Sequence, residues 1–116
     1  MTNEQIKELD ALFQNTILRR NPTSWLGGKA EVVHHFITKG AGGLSTRWFL
    51  PNGIPLTNEQ HQDIHGKNRN QLEEAIQIHK GNCWRKILTA RANVIAKDVS
   101  FEKVKGYLLG TEADYL

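Results

Sequence analysis

Four of the chain's five histidines fall between Val32 and His65: the adjacent pair His34-His35, and His61 and His65, four residues apart. Two imidazoles one helical turn apart lie on the same face and can bind one metal ion. Two ligands alone make a weak site, and the His34-His35 pair offers a third. The chemistry that this set of residues points to is therefore that of a divalent metal.

The surrounding sequence has to bring these rings together. Thr57 followed three residues later by Gln60 is a capping box, so a helix is expected from Thr57 or Asn58, ending at Gly66. That helix puts His61 and His65 on one face. The apolar run Ala30 to Ile37 reads as a strand, Thr38 to Thr46 as a long glycine-rich connection, and Asn52-Gly53 as a turn between Trp48–Leu50 and Ile54–Leu56. The expected result is a hairpin with a helix packed across it and the histidines at the junction. Neighbouring residues of a regular strand point to opposite faces. His34 and His35 can serve one site only where the strand distorts or ends, and the glycines after Lys39 suit such an ending.

The order His34-His35, Asn52, then His61-x-x-x-His65 resembles the HNH endonuclease family, also called the ββα-metal nucleases. The stretch through Phe36-Ile37, Arg47-Trp48 and Asn52-Gly53-Ile54-Pro55-Leu56 is similar to phage-encoded members, and the histidine set matches the pattern of the colicin DNases. The resemblance covers roughly the middle third of the chain. It implies hydrolysis of DNA phosphodiester bonds with one divalent metal. It also implies His34, His61 and His65 as metal ligands, His35 as the general base that activates water, and Asn52 as a brace for the backbone that holds His35. The residue types suit those roles. A histidine of pKa about 6.5 takes a proton near neutral pH, a metal offsets charge on phosphoryl oxygens, and asparagine donates and accepts without titrating. Three imidazoles favour Zn²⁺, Ni²⁺ or Mn²⁺, while the resemblance also allows Mg²⁺. Many HNH proteins flank the site with Cys-x-x-Cys zinc clips. Here Trp25, Leu26 and Gly27 stand in that place, so hydrophobic packing is expected to replace the clip.

Double-stranded DNA is the implied partner, read with low sequence specificity. Lys39, Arg47, Lys67 and Arg69 are the candidate phosphate contacts. A double-strand cut by one such site needs two protomers or two events, so a homodimer is a candidate assembly. Two other classes compete with the nuclease: a non-catalytic DNA-binding module, and a protein whose metal only holds the hairpin to the helix.

The rest of the chain reads as helices. Thr2 and Gln5 cap one from Asn3 to Arg19, with Ile6, Leu9, Leu12 or Phe13, and Ile17 as its apolar stripe. Asn21 to Lys29 is a loop with Trp25 as a core plug. A helix from Gln71 to His79 is broken at Lys80-Gly81-Asn82, and the next runs from Asn82 to about Lys97, its Arg85, Lys86, Arg91 and Lys97 candidates for secondary DNA contact. Ser100 caps a last helix ending at Gly110, after which Thr111 to Leu116 are expected to be loosely held. The fold class expected is α+β: a mostly helical single domain, 1–116, with an N-terminal helix at 1–20, a ββα-metal core at 30–66 and C-terminal helices at 70–110.

Composition agrees with one small domain of 116 residues, 39% of them hydrophobic. Fifteen Lys and Arg against 12 acids give a net charge of +3, which permits nucleic-acid binding without demanding it. With Cys83 the one cysteine, no disulfide can form within the chain. No apolar run approaches the ~20 residues of a membrane span, and the polar N-terminus is unlike a signal peptide. A soluble cytoplasmic protein is expected, acting in a host cytoplasm if phage-encoded.

Overall fold

Thr2 accepts a hydrogen bond from the Gln5 amide while the Gln5 side chain bonds back to the Thr2 amide, and this box starts helix α1 (Asn3–Arg20). The computed structural model describes all 116 residues. After α1 come strand β1 (Val32–His35), helix α2 (Lys39–Arg47), a 3₁₀ turn at Leu50–Asn52 and strand β2 (Gly53–Leu56). Helices α3 (Asn58–Ile64), α4 (Arg69–Lys80), α5 (Asn82–Ala92) and α6 (Phe101–Leu109) complete the chain. The architecture is α+β and mostly helical, with one antiparallel sheet of two strands.

The strands pair in the register Val32 with Leu56 through His35 with Gly53. Their connection differs from the expected one in two respects. Residues 39–47 are helical, in place of the glycine-rich loop expected from Thr38 to Thr46. Thr38 caps α2 by accepting from the Ala41 amide. Gly43 then adopts φ +59°, ψ −149°, a conformation closed to other residues, and kinks the helix. Asn52-Gly53 is not a two-residue hairpin turn either. Asn52 ends the 3₁₀ turn, and Gly53, extended at φ −94° and ψ 121°, opens β2.

Two apolar clusters lie on opposite sides of the sheet. Leu9, Phe13 and Ile17 of α1 meet Val33, Trp48, Tyr115 and the α6 residues Val104, Tyr107 and Leu108. Phe36, Ile54 and Leu56 meet Ile64, Ile76, Trp84 and Leu88 from α3, α4 and α5. Trp25 and Leu26, where a zinc clip would stand, pack on this second cluster, with Trp25 partly exposed. Their loop is stitched to α3 through Gln60, which bonds the Ser24 hydroxyl, the Thr57 amide and the Gly27 carbonyl.

Other boundaries shift too. β1 is confined to Val32–His35. α3 ends at Ile64 with His65 as its C-cap, and Gly66 is not in the left-handed conformation of a C′ glycine. α5 stops at Ala92, short of Lys97, and the Asn82 side chain makes no capping bond. The C-terminal residues are not loose: Tyr115 is buried and its hydroxyl donates to the carbonyls of Leu44 and Ser45. No helix is long and apolar enough to cross a membrane.

Candidate metal centre and its cavity

Strand β1 and helix α3 converge on three imidazoles. His34, on the sheet face opposite α1, sits edge-on to His61 and His65, with ring centroids 5.5 and 5.4 Å away. The capped start of α3 sets His61 and His65 one turn apart, their Nε2 atoms separated by 3.1 Å. One nitrogen from each of the three rings lies within 4.8 Å of the others, so the group can hold a metal ion. Metal–nitrogen bonds of about 2.0–2.1 Å require nitrogens within roughly 4 Å of each other, which the 3.1 Å pair already meets.

The electrostatics suit a cation. His34 is buried, His61 half-buried and His65 exposed. Burial, reinforced by the neighbouring His61 and His65, pushes His34 down to about 3. His61 is also lowered, by burial first and then by His65. His34 is therefore neutral near neutral pH, the form that ligates metals. Its Nε2 is buried without a hydrogen-bond partner, an arrangement that costs about 1–3 kcal/mol when no ligand satisfies it. A buried neutral imidazole with an unsatisfied nitrogen, grouped within 4.8 Å of two more, fits a divalent ion that draws the three slightly together.

His35 closes β1 on the other face of the sheet, where its ring stacks on Phe13 of α1 at 5.0 Å. All four imidazoles nonetheless line one cavity of about 510 Å³, bounded also by Asp10, Gln14, Lys39 and Gly40. The strand ends there, so neighbours with opposite orientations reach the same space. His35 Nε2 donates to the Arg47 carbonyl at 2.9 Å. A carbonyl can only accept, so the proton is on Nε2 and the lone pair on Nδ1. Burial lowers the His35 pKa, and the Arg47 hydrogen bond counters part of that shift.

Asn52 is fully buried. Its Oδ1 accepts from the Ile37 amide at 2.8 Å, and its Nδ2 donates to the carbonyls of Ile37 (2.9 Å) and Thr46 (3.2 Å). It ties the residues just after His35 to those just before Arg47. Asp10, which the motif reading missed, holds the same segment from α1. Its carboxylate accepts from Arg47 Nε (3.0 Å), Arg47 Nη2 (2.7 Å) and Trp48 Nε1 (2.9 Å). Asp10 lies far from the histidines in sequence. The available signal was an acid beside the buried stripe of Leu9 and Phe13, where a carboxylate needs a partner.

The candidate phosphate contacts divide. Lys39 lines the cavity with Nζ 3.7 Å from Asp10. Arg47 commits Nε and Nη2 to Asp10. Lys67 is exposed in the segment after α3, and Arg69 pairs with Glu73 at 3.3 Å. Among the secondary candidates, Arg91 is not a free surface cation. Its side chain is 9% exposed, pairs with Asp114 at 2.6 Å and donates to the Ser45 carbonyl.

No family model, no curated protein and no solved structure matches the chain.

Proposed function

We propose that the protein is a metal-dependent endonuclease of the HNH, or ββα-metal, type, hydrolysing phosphodiester bonds in double-stranded DNA with low sequence specificity. β1, β2 and α3 are the ββα-metal core in this reading. The observation that carries it is one cavity lined by three imidazoles whose nitrogens lie within 4.8 Å of one another and a fourth, His35, with its Nδ1 lone pair free.

His34, His61 and His65 would hold one divalent ion, Zn²⁺, Ni²⁺, Mn²⁺ or Mg²⁺, which when bound offsets charge on the phosphoryl and leaving oxygens. His35 Nδ1 takes the proton from the attacking water, while its Nε2–H stays on the Arg47 carbonyl and fixes the ring. Asn52 keeps that carbonyl and the end of β1 in register. Lys39 supplies positive charge at the cavity wall, and contacts to backbone phosphates without base reading account for low specificity.

The test is nicking of supercoiled plasmid across a panel of divalent ions, with EDTA as control. His35→Ala should lower the cleavage rate by about 10²–10⁴-fold while calorimetric metal binding stays near wild type. His61→Ala should lose both. Full activity in the His35 variant would remove the base assignment. A second reading has its own support: the one residue α3 buries is Ile64, so a metal bridging β1 to α3 would also fasten that helix. EDTA separates the two. Loss of cleavage with circular dichroism unchanged supports the catalytic metal, and unfolding supports the structural one.

A further inference from the structure

The histidine cavity does not end at the histidines. Thr38 lines both it and a second hollow of about 330 Å³, which also carries Arg69 and Arg85. Arg85 in turn lines a third hollow, of about 460 Å³, on the exposed side of α5. The three hollows therefore adjoin, with Thr38 between the first two and Arg85 between the last two, from the imidazoles past the end of β1 and onto α5.

Their charge is one-sided beyond the Arg69–Glu73 pair. Arg85 and Lys86 form no ion pair, and the residues beside them, Asn82, Thr89 and Asn93, are neutral hydrogen-bonding groups. Arg85 is also held in place. Its guanidinium lies 5.2 Å from the ring of Phe36, the residue after His35, and Nη1 donates to Thr89 Oγ1 at 3.0 Å. Asn82, Lys86, Thr89 and Asn93 recur at three- or four-residue spacing, one face of the helix. From Asn82 to Asn93 that face spans about 16 Å at 1.5 Å per residue, the length of roughly five phosphates along one strand of duplex DNA.

We infer that the α5 face is a second phosphate track, on which Arg85 and Lys86 bind backbone phosphates of the strand whose scissile bond lies at the histidines. The ligand class rests on the nuclease reading; the run of adjoining hollows and the unpaired Arg85 and Lys86 stand on the geometry. A polyanion requires a row of unpaired cations without intervening carboxylates, and this row begins beside the residue that follows the proposed base.

The test is fluorescence anisotropy of a short fluorescein-labelled DNA duplex in EDTA, so that binding is read without cleavage, over a series of NaCl concentrations. Wild type is compared with Arg85→Gln and Lys86→Ala. Each variant should bind about five- to tenfold more weakly, with the salt slope reduced by about one phosphate contact. Lys86 is exposed and forms no ion pair, so its variant guards against a folding artefact in the Arg85 change. Unchanged affinity and slope in both variants would overturn the track. If that happened while plasmid was still nicked, the nuclease reading would survive alone. Weaker binding by both variants, in a wild type that cleaves nothing with any metal, would leave the track standing and remove hydrolysis.

Discussion

Asp10 acts on His35 through the backbone. Its carboxylate clamps the guanidinium of Arg47 and the indole of Trp48, and the carbonyl of Arg47 receives the His35 Nε2 proton. Burial alone would raise the Asp10 carboxyl. Hydrogen bonding and charge from Arg47, with Lys39 and Trp48, outweigh it and hold the group below its ordinary 3.8. A depressed carboxylate stabilises the fold above its unfolded pKa and loses that contribution only as pH falls through the lower folded value. The clamp is therefore intact at neutral and mildly acid pH. Asp10→Ala frees the Arg47 segment and leaves Trp48 Nε1 without its acceptor. On the proposed function, kcat for plasmid should fall about ten- to hundredfold, with KM and metal affinity close to wild type, and Asp10→Asn, which keeps one acceptor oxygen, should recover part of the loss. Equal kcat in wild type and Asp10→Ala would show that the clamp does not position the base.

At the scale of elements, Gly53 decides how closely α1 can approach the site. It pairs with His35 across the sheet, and a Cβ there would fall 2.0 Å from Ile17 Cδ1 and 2.8 Å from Phe13 Cζ. The Ile17 methyl can rotate away. The Phe13 ring cannot move without disturbing its stack on His35. Gly53→Ala should destabilise the protein by about 1–3 kcal/mol, as overpacking does, seen as a lower urea midpoint. A wild-type midpoint would mean that α1 does not bear on the strand as described. The same glycine shows where the sequence misleads. Asn52-Gly53 has the composition of a hairpin turn, yet Asn52 is consumed in bonds to Ile37 and Thr46 and Gly53 is needed for its lack of a side chain. α2 was hidden for a related reason. Gly40, Gly42 and Gly43 lower helix propensity, and the Thr38 cap and burial of Ser45 and Thr46 override it. The histidines were legible because His61 and His65 needed only the local spacing of a capped helix. The Asp10 clamp depends on how distant helices dock, which no local pattern encodes; Arg85 and Lys86 stood out as basic residues of α5, and only their place relative to the histidines needed the fold.

The molecule as a whole is held by the way its two clusters are tied across a small sheet. A sheet of two four-residue strands does not stand alone, so the position of His34 against α3 depends on packing from both sides. Phe49 touches both clusters. Arg91, from α5, crosses between them: its guanidinium lies 4.4 Å from the Phe49 ring centroid and 4.8 Å from that of Tyr115, while it pairs with Asp114 and donates to Ser45. Tyr115 completes the clasp. It packs edge-on to Trp48 and Tyr107, and its hydroxyl donates to the Leu44 and Ser45 carbonyls of α2. Tyr115→Ala opens a cavity beside Trp48 and removes the hydroxyl donor from the Leu44 and Ser45 carbonyls, leaving Ser45 to Arg91 alone, at a cost of roughly 3–5 kcal/mol. The expected result is a single urea transition, monitored by tryptophan fluorescence, moved well below the wild-type midpoint. Two separated transitions would mean that the clusters unfold independently, and an unmoved midpoint would mean that the C-terminal segment contributes nothing to holding α2, and with it Arg47 and His35, in place.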